Sequence, residues 1–258
     1  MTNNSPPSDP PNTPRHVLWT GGWDSTFWIL YLTLVEKQPV QPHYLLLPTR
    51  GSTPYELRAM EMIRNAIARQ DGSGLLLDTH AFDTARLPVR EITREMHRAL
   101  TERYNIGIQY LWIAEYAHHQ QIDSLDLCIH IDDKAYLPAT VVRAASNIDN
   151  DAPEMLFKRL SFPILDLSKP EMNAAARKHG FTDILNYSWF CHNPTRSGRP
   201  CGFCGPCRWT AEEGLGWRLP LSSKMRRALV DRIIRKVPGF RLRRLIRERT
   251  DPLMRQLG

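Results

Sequence analysis

Four short apolar runs, His16–Trp19, Tyr44–Leu47, Leu75–Leu77 and Leu125–Ile131, are separated by longer segments of a different rhythm. The runs suit strands buried on both faces. In Phe27–Leu34, Tyr55–Ala68, Val89–Arg103 and Gln109–His118 the apolar side chains recur every three or four residues, the period of a helix. Strand–helix repetition implies right-handed crossovers, hence an α/β fold with a mainly parallel sheet flanked by helices. Farther on, SFPILDLSKPEMNAAARKHGF predicts an extended run, a turn at Ser168–Lys169, and a helix begun by Pro170 and ended near His179 and Gly180. No apolar run approaches the ~20 residues of a bilayer span.

Charge divides the chain. From Lys224 onward there are 12 Lys/Arg against 3 Asp/Glu, a balance of +9, whereas the preceding 223 residues carry −2. Nucleic-acid or acidic-partner electrostatics therefore concern the tail alone. The opening MTNNSPPSDPPNTPR holds five prolines and neither a basic nor an apolar signal region. It predicts a disordered leader, and a cytoplasmic protein. The expected order is a leader at 1–15, an α/β domain at 16–190, a cysteine segment at 191–221 and a basic helical tail at 222–258.

Four of the five cysteines, Cys191, Cys201, Cys204 and Cys207, fall within 17 residues, with glycines among them. Such a cluster points to a tetrahedral zinc site, whose four thiolates leave no open position and make the metal structural. Free or redox-active thiols are the alternative. His192 is a spare ligand or a neighbour of this site, and Cys128, inside LDLCIHI, reads as a buried thiol.

Behind the first run stands Thr20-Gly21-Gly22-Trp23-Asp24-Ser25-Thr26. Two glycines permit a sharp turn and close approach of a ligand to the backbone. A helix follows, so the turn delivers N–H groups to a helix N-terminus, an anion site. Alternatively the stretch is a plain strand–turn–helix corner with Asp24 as a cap. It matches neither GxxxxGK[ST] nor GxGxxG.

The stretch resembles the PP-loop, Ser-Gly-Gly-x-Asp-Ser, of the ATP pyrophosphatases, with Thr20 for the first serine. Combined with the cysteine knuckle, it resembles the 7-cyano-7-deazaguanine synthases of queuosine precursor synthesis. PILDLSKPEM is similar to that family's Pro-Leu-x-x-Leu-x-Lys-x-Glu-Ile run, and Asn105, taken as opening a helical stretch, to its Arg-Asn. The resemblance covers roughly Val17 to Arg208 and is loose in the middle. There Thr49-Arg50-Gly51-Ser52-Thr53 replaces a Gly-Gln-Arg-His stretch, the Tyr-Pro-Asp-Cys-Arg segment is absent, and HIDDKAYLPATV stands instead.

The resemblance implies an adenine nucleotide alpha hydrolase-like fold and a ligase that uses ATP, Mg2+ and structural Zn2+. A carboxylate, 7-carboxy-7-deazaguanine or a related acid, is adenylated and then attacked by ammonia or another amine, releasing AMP and pyrophosphate. Trp19, Thr20, Gly21, Gly22, Trp23, Asp24, Ser25 and Thr26 are the expected ATP contacts. Asp24, Ser25 and Lys169 are the catalytic candidates. Trp23 is expected to be exposed near the nucleotide, while Trp19 and Trp28 suit core packing. Asp132 and Asp133, with Arg143, are substrate candidates; the two aspartates equally suit a solvated turn.

In the tail, KMRRALVDRIIRKVPGFRLRRLIRER predicts helices over Ser222–Lys236 and Phe240–Arg249, with Leu229, Ile233 and Val237 on one face. Either this helix docks on the body with a cationic outer face, or the tail contacts nucleic acid or an acidic protein. A homodimer would also use that stripe. The competing reading of the whole chain is a nucleic-acid-binding or scaffolding protein with a zinc knuckle and a relict loop. A thiolating enzyme would need a sulfur carrier, for which apolar Cys128 is poorly suited.

Overall fold

The computed structural model describes residues 13–48, 50–70, 74–133, 135–144, 149 and 151–235. Most of the leader, Val237 and the expected helix at 240–249 lie outside these residues. Two compact units are found, Met1–Pro48 with Met60–Ser188, and Thr49–Ala59 with Trp189–Gly258.

The first unit is α/β and is built on a five-stranded sheet in which every pairing is parallel. Its strands are β1 (Arg15–Leu18), β2 (Val40–Leu46), β3 (His80–Asp83), β4 (Leu125–Asp126) and β5 (Leu160–Ser161), in the order β3-β2-β1-β4-β5. The chain moves outward from β1 to one edge and then crosses to its other side. The carboxyl ends of β1 and β4 thus flank the point where strand order reverses, where open α/β sheets place ligands.

Helices flank the sheet: α1 (Trp23–Leu30), α2 (Thr53–Ile67), α3 (Glu91–Tyr104), α4 (Gln109–His119), α5 (Tyr136–Ala144), α6 (Lys169–Lys178) and α7 (Thr182–Leu185). One core gathers Leu18 and Leu125 from the strands with Leu100, Ile113, Tyr116 and Ala117 from α3 and α4. Elsewhere Phe27 of α1 meets Phe181, next to α7, with ring centroids 5.9 Å apart. Each apolar side chain of this size contributes about 1.5–3 kcal/mol on burial.

The α6 start follows directly from sequence. Ser168 caps the helix, its backbone N–H and hydroxyl both donating to Glu171 (2.8 and 2.6 Å), a capping box ahead of Pro170. These bonds hold the Glu171 carboxyl below its ordinary range.

Three expectations need correction. Leu75–Leu77 forms only a bridge between Leu76 and Val40, and the strand is His80–Asp83. That strand pairs on one side only, so it needs no apolar run. The Leu125–Ile131 run is strand only at its first two residues. Ile129 N–H then turns back to the Leu127 carbonyl (2.8 Å), although Leu127, Ile129 and His130 remain buried. Finally, Asn105 does not open a helix but closes α3 with φ 54°, a left-handed conformation that asparagine tolerates. No described helix is long and apolar enough to cross a membrane.

The second unit holds α8 (Gly205–Thr210), α9 (Leu221–Arg235) and the four clustered cysteines. Residues 49–59, which include the start of α2, belong to it. There Arg50 and Ser52 both donate to the buried Glu56 carboxylate (2.8 and 2.6 Å), and Tyr55 stacks on Trp189 at 4.9 Å.

Candidate functional site

The glycine loop leaves the carboxyl end of β1. Gly21 takes φ 65°, which only glycine adopts cheaply, and Gly22 is extended and precedes α1 as its cap. No side chain caps this helix end. The first-turn N–H groups of α1 are therefore presented at the sheet's carboxyl edge, with Asp24 the acidic residue among them.

Lys169, at the start of α6, reaches this turn and forms an ion pair with Asp24. The lysine side chain is 8% exposed and the aspartate 26%. A cation so far withdrawn from water requires a compensating anion. The sequence-predicted residues Asp24 and Lys169 are thus brought together across 145 residues of chain.

The loop's aromatic residues face inward. Trp19 and Thr26 are fully buried, and the Trp19 indole donates to the Thr26 hydroxyl (3.0 Å), tying the strand end to α1. Ser25 is 7% exposed. Trp23 is 4% exposed, against the expectation of an exposed ring: it is the first residue of α1 rather than part of an open loop.

In the second unit, the Sγ atoms of Cys191, Cys201, Cys204 and Cys207 lie within 4.8 Å of one another, and all four residues are buried. The Cys191–Cys204 and Cys201–Cys207 sulfur separations are both 3.9 Å. A tetrahedral ion with metal–sulfur bonds of ~2.3 Å needs sulfurs about 3.8 Å apart. Backbone N–H groups point at the sulfurs: Cys201 to Cys191 (3.2 Å), Cys204 to Cys201 (3.3 Å) and Gly202 to Cys207 (3.4 Å). Such donors stabilise thiolates, and four thiolates in contact need a cation between them. The four cysteines are positioned to bind a metal ion with no coordination position left open. His192 stays outside this set, the only such group among the described residues.

Compared with known proteins, the sequence matches no family model and no curated protein.

The substrate candidates are each engaged locally. Asp133 accepts from the Ala135 N–H (2.8 Å) ahead of α5 and from the Tyr110 hydroxyl (3.2 Å). Burial, followed by the Asp133 charge, raises the Tyr110 pKa well above its ordinary value, so the phenol remains a donor. Asp132 is exposed, with its carboxylate 4.0 Å from the His130 ring. Arg143, exposed on α5, makes a two-pronged pair with Asp166 (2.6 and 2.8 Å). That hydrogen bonding raises the arginine pKa and lowers that of the aspartate.

One feature escaped the sequence. Asp126, fully buried in β4, receives two nitrogens of Arg15, the Trp28 indole (2.7 Å) and the Ser161 hydroxyl. A β-strand aspartate gives no hint of partners 35 to 111 residues away. Cys128, two residues on, lies within electrostatic reach of Asp24 and Lys169. Burial first, and then the Asp126 charge, push its pKa well above the ordinary thiol value.

Proposed function

We propose that this chain is an ATP-dependent, AMP-forming ligase, a divergent relative of the 7-cyano-7-deazaguanine synthases on an adenine nucleotide alpha hydrolase-like fold. One observation carries the reading: the Gly21-Gly22 turn, the open first turn of α1 and buried Lys169 meet at the carboxyl edge of β1, beside the reversal of strand order. A triphosphate binds there through backbone N–H groups of the turn, with Thr20 and Ser25 adding hydroxyls.

In this reading the Asp24–Lys169 pair is the resting form of the site. When ATP arrives, Lys169 turns its charge to the phosphates; Asp24, released from the pair, would hold a magnesium ion, which would neutralise phosphate charge. Two fixed charges exchange one another for substrate, so the site is positioned before binding and needs no further burial of an unpaired ion. The carboxylate substrate attacks the α-phosphorus, pyrophosphate leaves, and an amine then displaces AMP to form the amide. Asp132 and Asp133, in the turn that precedes α5, are the candidates to orient the substrate. The cysteine cluster holds zinc as a structural ion, because four ligands leave no room for substrate.

The altered middle of the sequence favours an acceptor other than the ammonia of the nitrile synthases. The test incubates the zinc-loaded full chain with ATP, magnesium and 7-carboxy-7-deazaguanine, with and without ammonium, and reads products by mass spectrometry. AMP and pyrophosphate with only an adenylate or amide support an unsupplied acceptor, and a nitrile establishes the ordinary synthase. No AMP from folded, zinc-loaded protein overturns the assignment of this acid as substrate.

A further inference from the structure

Helix α9 is held on the cysteine knuckle in one rotational setting. Ser223 is fully buried, and its hydroxyl donates to the Pro200 carbonyl. Arg226 donates to the carbonyls of Cys201 (3.1 Å) and Pro200 (3.0 Å), and Val230 is buried among the cysteines. Gly202 is obligatory beneath it, since a Cβ there would sit 2.1 Å from the Ser223 carbonyl oxygen. The inner face therefore includes Ser223 and Val230, while Leu229, the one residue of the expected stripe whose side chain is described, is exposed.

The outer face is the consequence. Leu221, Lys224, Met225, Ala228, Leu229 and Arg232 are all exposed, at spacings of three and four that place them on one side of the helix. Leu221 is 74% exposed, Met225 65% and Leu229 56%. Among the described residues Leu221 and Met225 are the two most exposed large apolar side chains. Single exposed leucines need no explanation, but a stripe of three on a helix fixed in this orientation marks a contact surface.

We propose that this face docks an acidic amphipathic helix of a partner protein, independently of whether the glycine loop turns over ATP. Charge selects this occupant. In a two-fold antiparallel pairing of α9 with a second copy, centred on Met225, Leu221 would meet Leu229. The exposed face carries Lys224 and Arg232 and no exposed acidic residue, so pairing it with itself sets cations against cations. The chain's own residues 236–258 carry seven Lys/Arg against two Asp/Glu, and so repel the same cations. In a lipid interface Arg232, which at 100° per residue projects between Leu221 and Leu229, would point into the acyl region. RNA would leave the leucines unused. A helix with leucines at matching spacing and flanking Glu or Asp covers the stripe and pairs Lys224 and Arg232 at once.

The test pans a random 16-residue peptide display library against the zinc-loaded full chain, then measures affinities of the selected peptides. The proposal expects apolar residues at three-to-four spacing flanked by Asp or Glu, binding that weakens with salt, and at least tenfold loss against Leu221→Ser/Met225→Ser/Leu229→Ser. Lys224→Glu/Arg232→Glu should reject those peptides and accept versions with Lys in place of the acids, which mere misfolding would not produce. Peptides without acidic bias, or binding that ignores both variants, would overturn the proposal. So would a dimer abolished by the triple serine variant, or anionic vesicles or RNA bound through this face in preference to the peptides.

Discussion

Lys169 in the first turn of α6 holds Asp24 in the first turn of α1 through an ion pair. Two helix starts from opposite ends of the α/β unit are thereby tied at the glycine loop. If the pair is the resting form of a triphosphate site, Lys169→Met and Asp24→Asn each lower the rate of AMP formation by about 100-fold or more. Removing one partner of a largely buried pair should also cost about 1–3 kcal/mol of stability, since Asp24 retains some contact with water. Steady-state AMP release beside urea denaturation separates the two effects. Full activity of a folded Lys169→Met enzyme would remove the lysine from the chemistry.

The fold and the site were legible to different extents. The glycine turn, the helix start at Ser168–Pro170 and the cysteine spacing act within a few residues, and local rules reach them. Asp24 and Lys169 emerged as separate candidates, and their meeting required the sheet. Asp126 was invisible because its partners Arg15, Trp28 and Ser161 come from β1, α1 and β5. Strand β3 was missed because an edge strand shows no apolar alternation. On α9, period alone did not fix the direction of the buried face; Val230 faces inward because Ser223 and Arg226 bond the knuckle.

The four-sulfur geometry predicts about one zinc ion per chain, measurable by plasma mass spectrometry. Structural zinc contributes apparent binding free energy of about 10–16 kcal/mol in small domains, far above the margin of a domain's stability. Strong chelation, or Cys204→Ser, should therefore abolish ordered packing around the knuckle. The Trp189 indole donates to the Cys191 carbonyl (2.7 Å), so loss of near-ultraviolet circular dichroism reports the change. A chelated sample with an unchanged spectrum and melting temperature would contradict a structural metal.

Asp126 is a buried carboxylate whose donors all arrive from elsewhere. Its replacement by alanine strands the Trp28 and Ser161 donors and takes a buried counter-charge from Arg15, and should cost about 2–4 kcal/mol. Ser161→Ala removes one donor and should cost about 1 kcal/mol. Urea midpoints give both numbers. An Asp126→Ala loss no larger than that of Ser161→Ala would mean that the network contributes little beyond its separate bonds.

His43 lies in a relay inside the sheet, with its ring nitrogens 2.8 Å from His16 Nδ1 and 2.7 Å from the Tyr116 hydroxyl, which in turn is 3.0 Å from His80 Nδ1. Burial, with the His16 and His80 charges, pushes the His43 pKa down to about 3, and burial lowers that of His16. Unfolded histidine takes up its proton near pH ~6.5. Between these values the unfolded chain binds more protons, so this stability is complete above pH ~6.5 and is lost as pH falls toward the folded value. The loss from His43 reaches about 1.4 kcal/mol per pH unit. Urea denaturation at pH 7, 6, 5 and 4 should show this slope reduced by about one proton in His43→Gln, and an identical slope would exclude His43 as its source.

If the chain is the proposed AMP-forming ligase, Cys128 decides between attack by an amine and sulfur transfer. Its thiol lies within electrostatic reach of Asp24 and Lys169, yet burial and the Asp126 charge oppose the thiolate. A protonated thiol is a poor nucleophile, since the thiolate is the reactive species. Cys128→Ala should therefore retain AMP formation within about threefold, a small transition-state change. At neutral pH the thiol should also react with iodoacetamide much more slowly than free cysteine. A loss of turnover in a folded Cys128→Ala protein, together with rapid alkylation of the native thiol, would reverse the choice and make sulfur the group transferred.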